Sequence, residues 1–266
     1  MSLRPNVTVV QHSAVVPLGR FAGWLTDVDL RIVRGWEGEP VPAIADVGDA
    51  LLVLGGEMNA YDDERAPWLP ATRRLLADAV DAELPVLGIC LGHQLLAAAT
   101  GGQVAVAAPQ GLEAGLVEVG WEPGAADDPL LAAVVADDAG AGSPGGRDAA
   151  VRSYQYAMHH DGVSQLPAGA VRLATSALYP VQAMRVGSAL GVQFHPEASP
   201  ERITRWAERH GATGPAVEAA TSGRHDDEVA RVAHRIARAF ARQAAGDHRP
   251  WCGEGSSRRL EEHQRR

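Results

Sequence analysis

Cys90 stands between two glycines in Gly88-Ile89-Cys90-Leu91-Gly92, where an apolar run that opens at Pro85 gives way to the stretch LGHQLLAAAT. Pro85 to Ile89 reads as a short buried strand and the residues after Cys90 as a helix, so the cysteine falls at the turn between them. The pattern Gly-x-nucleophile-x-Gly is that of a nucleophile elbow, in which small flanking residues relieve crowding around a strained turn. A helix that starts just after the sulfur aims its positive dipole end at it and favours the thiolate. The free amide of Leu91 is then placed to hold a developing oxyanion. On its own the elbow leaves a second reading open, that of a small buried cysteine at a tight turn. The segment GVQFHPE decides between them, because His195 follows an apolar run and only Pro196 separates it from Glu197. A thiol nucleophile needs a base for its proton, and the base needs a group that fixes its tautomer and stabilises its charged form. His195 and Glu197 supply both.

The elements that must position these residues are short apolar runs alternating with amphipathic segments. VTVVQ from Val7, LLVLGG from Leu51, PVLGIC from Pro85 and AGLVEV from Ala114 read as strands, and ATRRLLADAVDAEL between the second and third reads as a helix. Such alternation predicts an α/β fold, a largely parallel sheet with helices on both faces and an active site at the carboxyl ends of its strands. VRLATS, VQAMRV and ALGVQFHPE are three further strand candidates. The Gly-, Ala- and Asp-rich stretch 136–150 lacks periodicity and reads as a flexible surface insertion.

Beyond His210 the texture changes. Residues 211–227 read as a linker, followed by a helix that collects Val229, Val232, Ala233, Ile236, Ala237 and Phe240 on one face, with Gly246 to cap its end. The charged last residues read as a mobile tail. The expected division is a catalytic domain over residues 1–212 and an extension over 213–266, with deletion from residue 224 onward expected to spare the core.

Composition narrows the function. Of 266 residues 46% are hydrophobic and 21% charged, which suits a soluble globular protein with a sizeable core. The formal net charge of −9, without a long basic run in the first two hundred residues, argues against nucleic acid. Cys90 and Cys252 are too few for a disulfide framework, the N-terminus lacks the apolar core of a signal peptide, and no stretch reaches membrane-spanning length. A cytoplasmic protein is expected. His159 and His160 are adjacent, so on an extended segment they point to opposite faces, and no metal site is expected. Without a P-loop or a G-x-G-x-x-G after a strand, no cofactor is expected either.

The segments GICLGHQ and GVQFHPE, with LLVLGGEMNAYDDERAPWL upstream and HHDGVSQLPAGAVRLATS between them, resemble those of the class I, triad-type glutamine amidotransferases. The likeness extends over most of residues 7–210 and is nearest to stand-alone GMP-synthase-like amidotransferase domains. It implies a flavodoxin-like sheet and a reaction in which Cys90 attacks the side-chain amide of glutamine. It further implies an oxyanion held by the backbone of Leu91 and of the Gly55-Gly56 turn, with Gln94 helping to hold the substrate. Tyr61, His159 and Asp161 are implied at the site entrance, and a separate synthetase or other ammonia acceptor as the partner. His93 reads as a structural hydrogen-bonder. The sequence departs from the resemblance at Glu57, where proline usually follows the glycine pair, which makes the footing of the oxyanion turn an open question. Two alternatives accompany this reading: the same triad acting on another γ-glutamyl amide or peptide, and a non-catalytic regulatory module on the same fold.

Overall fold

The computed structural model describes residues 4–140 and 151–247. Its strands are β1 (Asn6–Gln11), β2 (Asp29–Arg34), β3 (Ala50–Val53), β4 (Val86–Ile89), β5 (Gln103–Ala105), β6 (Glu113–Trp121), β7 (Arg152–His159), β8 (Gly162–Gln165), β9 (Val171–Ser176), β10 (Ala183–Val186) and β11 (Ala189–Val192). Its helices are α1 (Phe21–Trp24), α2 (Leu69–Asp81), α3 (Leu91–Ala99), α4 (Ala132–Gly140), α5 (Pro200–His210), α6 (Pro215–Thr221) and α7 (Asp226–Ala244). Nine strands form one sheet in the order β2-β1-β3-β4-β11-β10-β9-β6-β7, while β5 and β8 pair separately. The run from β2 to β11 is parallel, and every pairing from β11 to β7 is antiparallel.

Neighbouring residues on the parallel strands face opposite ways, and each face has its own cover. Leu52, Leu87 and Ile89 pack with Phe21, Ile236 and Phe240 in one apolar cluster, whereas Leu51, Val53 and Val86 pack with Leu75, Leu76, Leu95 and Leu96 in another. Thus α1 and α7 lie on one face, α2 and α3 on the other. A third cluster joins Leu116 and Tyr156 of the antiparallel half to Ile203 and Trp206 of α5, Ala220 of α6 and Val229 of α7.

Three features differ from the sequence expectations. β6 sits between β9 and β7 in the antiparallel half, because an apolar run marks a strand but its direction depends on the connections. The expected linker holds α6, whose start is signalled by Pro215, and this helix packs so closely on β6 that a Cβ at Gly115 would lie 2.4 Å from the Ala216 carbonyl carbon. In the stretch expected as a surface insertion, residues 136–140 continue α4, and 141–150 lie outside the described residues. The C-terminal tail and Cys252 also lie outside them.

Candidate active site

Three adjacent parallel strands bring the candidate residues together. β3, β4 and β11 run side by side with Val53 opposite Gly88 and Ile89 opposite Val192, so the residues that follow them leave the sheet at the same carboxyl edge. Gly55 and Gly56 follow β3, Cys90 follows β4, and His195 lies three residues beyond β11. Cys90 has φ 51° and ψ −103°, a conformation that costs a non-glycine residue on the order of 1–3 kcal/mol. The structure holds it there from both sides: its N–H donates to Val192 at 2.8 Å and its carbonyl accepts the first α3 bond, from Gln94, at 3.1 Å. Gly92 shows why the elbow needs its small flank, since a Cβ there would stand 2.1 Å from the Val53 carbonyl oxygen.

His195 Nδ1 faces Glu197 Oε1 at 2.7 Å. A Cβ placed on Gly55 would lie 3.0 Å from His195 Cε1 and 3.5 Å from Cys90 Cβ, so the ring and the thiol border the same small space. All three side chains are buried. Burial by itself would drive His195 toward the neutral ring, but the Glu197 carboxylate and the Cys90 sulfur overcome it and raise the histidine from its ordinary value to about 10. The backbone is fixed as firmly as the side chains. His195 N–H donates to the Tyr156 carbonyl at 2.7 Å, and the Glu197 carbonyl accepts from Arg20 N–H at 2.9 Å. Gly19, at φ +51°, lies so near that a Cβ on it would stand 2.1 Å from that Glu197 oxygen.

Cys90 and His195 open into a cleft of about 220 Å³ whose walls include Gly56, Leu91, Gln94, His159 and Asp161. Gly55 lies beside it, against His195. Tyr61 does not join this wall: it is exposed, and its hydroxyl accepts from the backbone of Val104. Gln94 is braced through its amide nitrogen to the Asp161 carbonyl at 3.1 Å and to Gln193 Oε1 at 3.2 Å. His159 is equally tied, with Nδ1 at 2.9 Å from the Asp161 carbonyl and Nε2 at 2.9 Å from Glu113. Asp161 accepts from the backbone of Ala107 at 2.8 Å, which fixes the turn after β5 whose Val106 lines the cleft.

His93, expected to be a hydrogen-bonder, is completely buried and neither ring nitrogen finds a partner of good geometry among the described residues. Burial and the charge of His159 push it down to about 3 against a smaller opposing contribution from the Gly191 backbone, so it serves as a neutral packing group. Glu57 answers the question that its position raised. Its carboxylate accepts from the Ser13 hydroxyl at 2.9 Å and pairs with Arg209 of α5 at 3.1 Å, giving the glycine turn side-chain anchors where a proline would have stiffened the backbone.

Sequence reasoning missed Trp206, whose ring lies 4.7 Å from that of His195 while its indole N–H donates to Val15 at 3.0 Å. It also missed Gly19 and Arg20. Trp206 lies on the apolar face of an amphipathic helix and reads there as ordinary core, and nothing near Gly19 suggests a partner almost two hundred positions away.

A mixed α/β sheet whose parallel half carries a cysteine at a strained strand-to-helix turn and a histidine–carboxylate pair after the neighbouring strand has the parts for acyl transfer through a thiol. Residues 36–210 match the family model described as glutamine amidotransferase class-I, and the chain belongs to that family. It is 38% identical over 177 residues to one subunit of the glutamine-hydrolyzing GMP synthase of Methanoculleus marisnigri, a match covering 66% of this chain and 79% of that protein. A match of 34% identity to the glutamine-hydrolyzing GMP synthase of Thermomicrobium roseum covers 56% of this chain but 23% of that longer protein. Among solved structures, a glutamine amido transferase from Methylobacillus flagellatus superposes with a TM-score of 0.72 at 26% identity, covering 94% of this chain and 97% of that one.

Proposed function

We propose that this protein is a glutamine amidotransferase that hydrolyses the side-chain amide of glutamine and hands the ammonia to a separate acceptor enzyme. Cys90 Sγ attacks the amide carbon to form a tetrahedral oxyanion, and the backbone N–H groups of Leu91 and the Gly55-Gly56 turn hold the negative oxygen. The carbon–nitrogen bond breaks as His195 gives its proton to the departing nitrogen, leaving a γ-glutamyl thioester and ammonia. Water, losing a proton to His195, then attacks the thioester and releases glutamate with the free thiol. Glu197 keeps the ring in the orientation that serves both steps. Removing one oxyanion donor from such a site typically costs about 3 kcal/mol of barrier.

The observation that carries this reading is the His195–Glu197 contact at 2.7 Å, with the ring and the Cys90 side chain bordering the same small space beside Gly55. Glutamate release from glutamine by the purified chain, with and without a candidate synthetase, tests it directly. Cys90→Ser is expected to fold normally, shown by an unchanged melting temperature, and to lose nearly all turnover. A mutant that stayed active would remove Cys90 from the mechanism.

A second reading has its own observation. Met158 and the exposed side chains of Val106 and Leu112 line the outer cleft, which gives it room and an apolar wall for a substituent on the amide nitrogen. Faster turnover of γ-glutamyl alkylamides than of glutamine would favour that substrate class over glutamine itself.

A further inference from the structure

A chain of hydrogen bonds joins the first residue of α7 to the backbone of the histidine–glutamate pair. The Asp226 carboxylate accepts from Arg20 Nη2 at 2.7 and 2.8 Å through its two oxygens, and from the Tyr156 hydroxyl at 2.9 Å. Arg20 and Tyr156 are the same two residues whose main chains hold the pair, through Arg20 N–H to the Glu197 carbonyl at 2.9 Å and His195 N–H to the Tyr156 carbonyl at 2.7 Å. One carboxylate therefore gathers the side chains of both main-chain clamps, drawing together the loop before α1, the middle of β7 and the start of α7. Tyr156 is fully buried and the Arg20 and Asp226 side chains are mostly so, which shields the junction from solvent. Asp226 also lies outside the segment 36–210 that the family model matches.

We propose that Asp226 is a positioning residue for the catalytic pair: acting through Arg20 and Tyr156, it fixes the angle at which Glu197 meets His195 and at which the imidazole meets Cys90. The proposal rests on the triad roles given above. Asp226 also begins a helix, where a negative charge interacts favourably with the dipole. Its neighbour Asp227 separates the two roles, because it carries the same charge in the same turn but is exposed.

The test uses the full chain and two readouts: steady-state glutamine hydrolysis, and the rate at which iodoacetamide alkylates Cys90 at neutral pH, followed on its own peptide so that Cys252 does not interfere. Asp226→Asn is expected to lower kcat about tenfold with KM changed by less than about twofold, because small misplacements of reacting groups are costly in rate. It is expected to slow alkylation about as much, since His195 then withdraws the thiol proton less effectively. Asp226→Glu should recover part of both rates, and Asp227→Asn should leave both unchanged. Tyr156→Phe, which deletes one bond without opening a cavity, should lower each rate about threefold and decides the matter if Asp226→Asn does not fold. Rates for Asp226→Asn equal to those of Asp227→Asn overturn the proposal. Alkylation needs no substrate, so a chain that hydrolyses no glutamine counts against the amidotransferase reading, while unchanged alkylation counts against the clamp.

Discussion

Burial pulls His195 toward the neutral ring and the Glu197 carboxylate with the Cys90 sulfur pulls it back; the second effect wins, so the proton stays on at neutral pH. A folded-state value raised from 6.5 to about 10 adds stability that is fully present below the unfolded value near 6.5 and fades as the pH rises through about 10. In Glu197→Gln the charged partner is gone and burial dominates, which removes that contribution. The wild-type chain is therefore expected to exceed Glu197→Gln in stability most at pH 6, less at pH 8 and least near pH 10. Urea melts at those three values check it, and a gap that widened with pH would reverse the assignment. At this scale the sequence was most informative, because Cys90, His195 and Glu197 belong to short motifs whose residue types have few uses. Their partners were less legible. Trp206, Gly19 and Arg20 meet His195 or Glu197 through space, and no local spacing connects them.

The elements carry the next layer, and the elbow's two glycines are set by the close packing of α3 on β3 and β4, not by the chemistry. With the Val53 carbonyl 2.1 Å from where a Cβ on Gly92 would be, Gly92→Ala must push α3 away from β3 and move Cys90 with it. Far from the site, the β10–β11 hairpin is held by a different device. Arg185 donates to both oxygens of Asp128 at 2.7 and 2.8 Å, with both side chains buried, and Asp128 in turn accepts from Leu130 N–H at 2.8 Å and Leu131 N–H at 3.2 Å in the turn before α4. Asp128→Ala leaves a buried guanidinium without its counter-charge, which costs on the order of 3–5 kcal/mol. A loss of stability of that size should appear in a urea melt with little change in the activity of the remaining folded protein. The apolar runs marked where the strands lie, and the pairing of a parallel half with an antiparallel half became visible only with the connections. Single residues in β10 and in the segment before α4 give no sign that they meet.

On the scale of the whole molecule, the two faces of the sheet need cover, and α7 is a large part of it on one side. The sequence expected this helix to be separable from residue 224 onward, because its apolar stripe could as well dock on a partner. In the structure Val232, Ile236, Ala237 and Phe240 of α7 lie fully inside the cluster that also holds Val7, Leu52 and Leu87 of the parallel strands. A stripe of this kind announces that a helix is covered on one side, not by what. Deleting residues 224–266 would uncover the strands beneath α7 and leave an apolar patch of the kind that drives association. The truncated chain is expected to be insoluble, and the single substitution Phe240→Ala, which opens a cavity at the same place, to cost about 3–5 kcal/mol in a urea melt. Full solubility and an unaltered melting temperature for the truncation would show that α7 rests on the fold without supporting it.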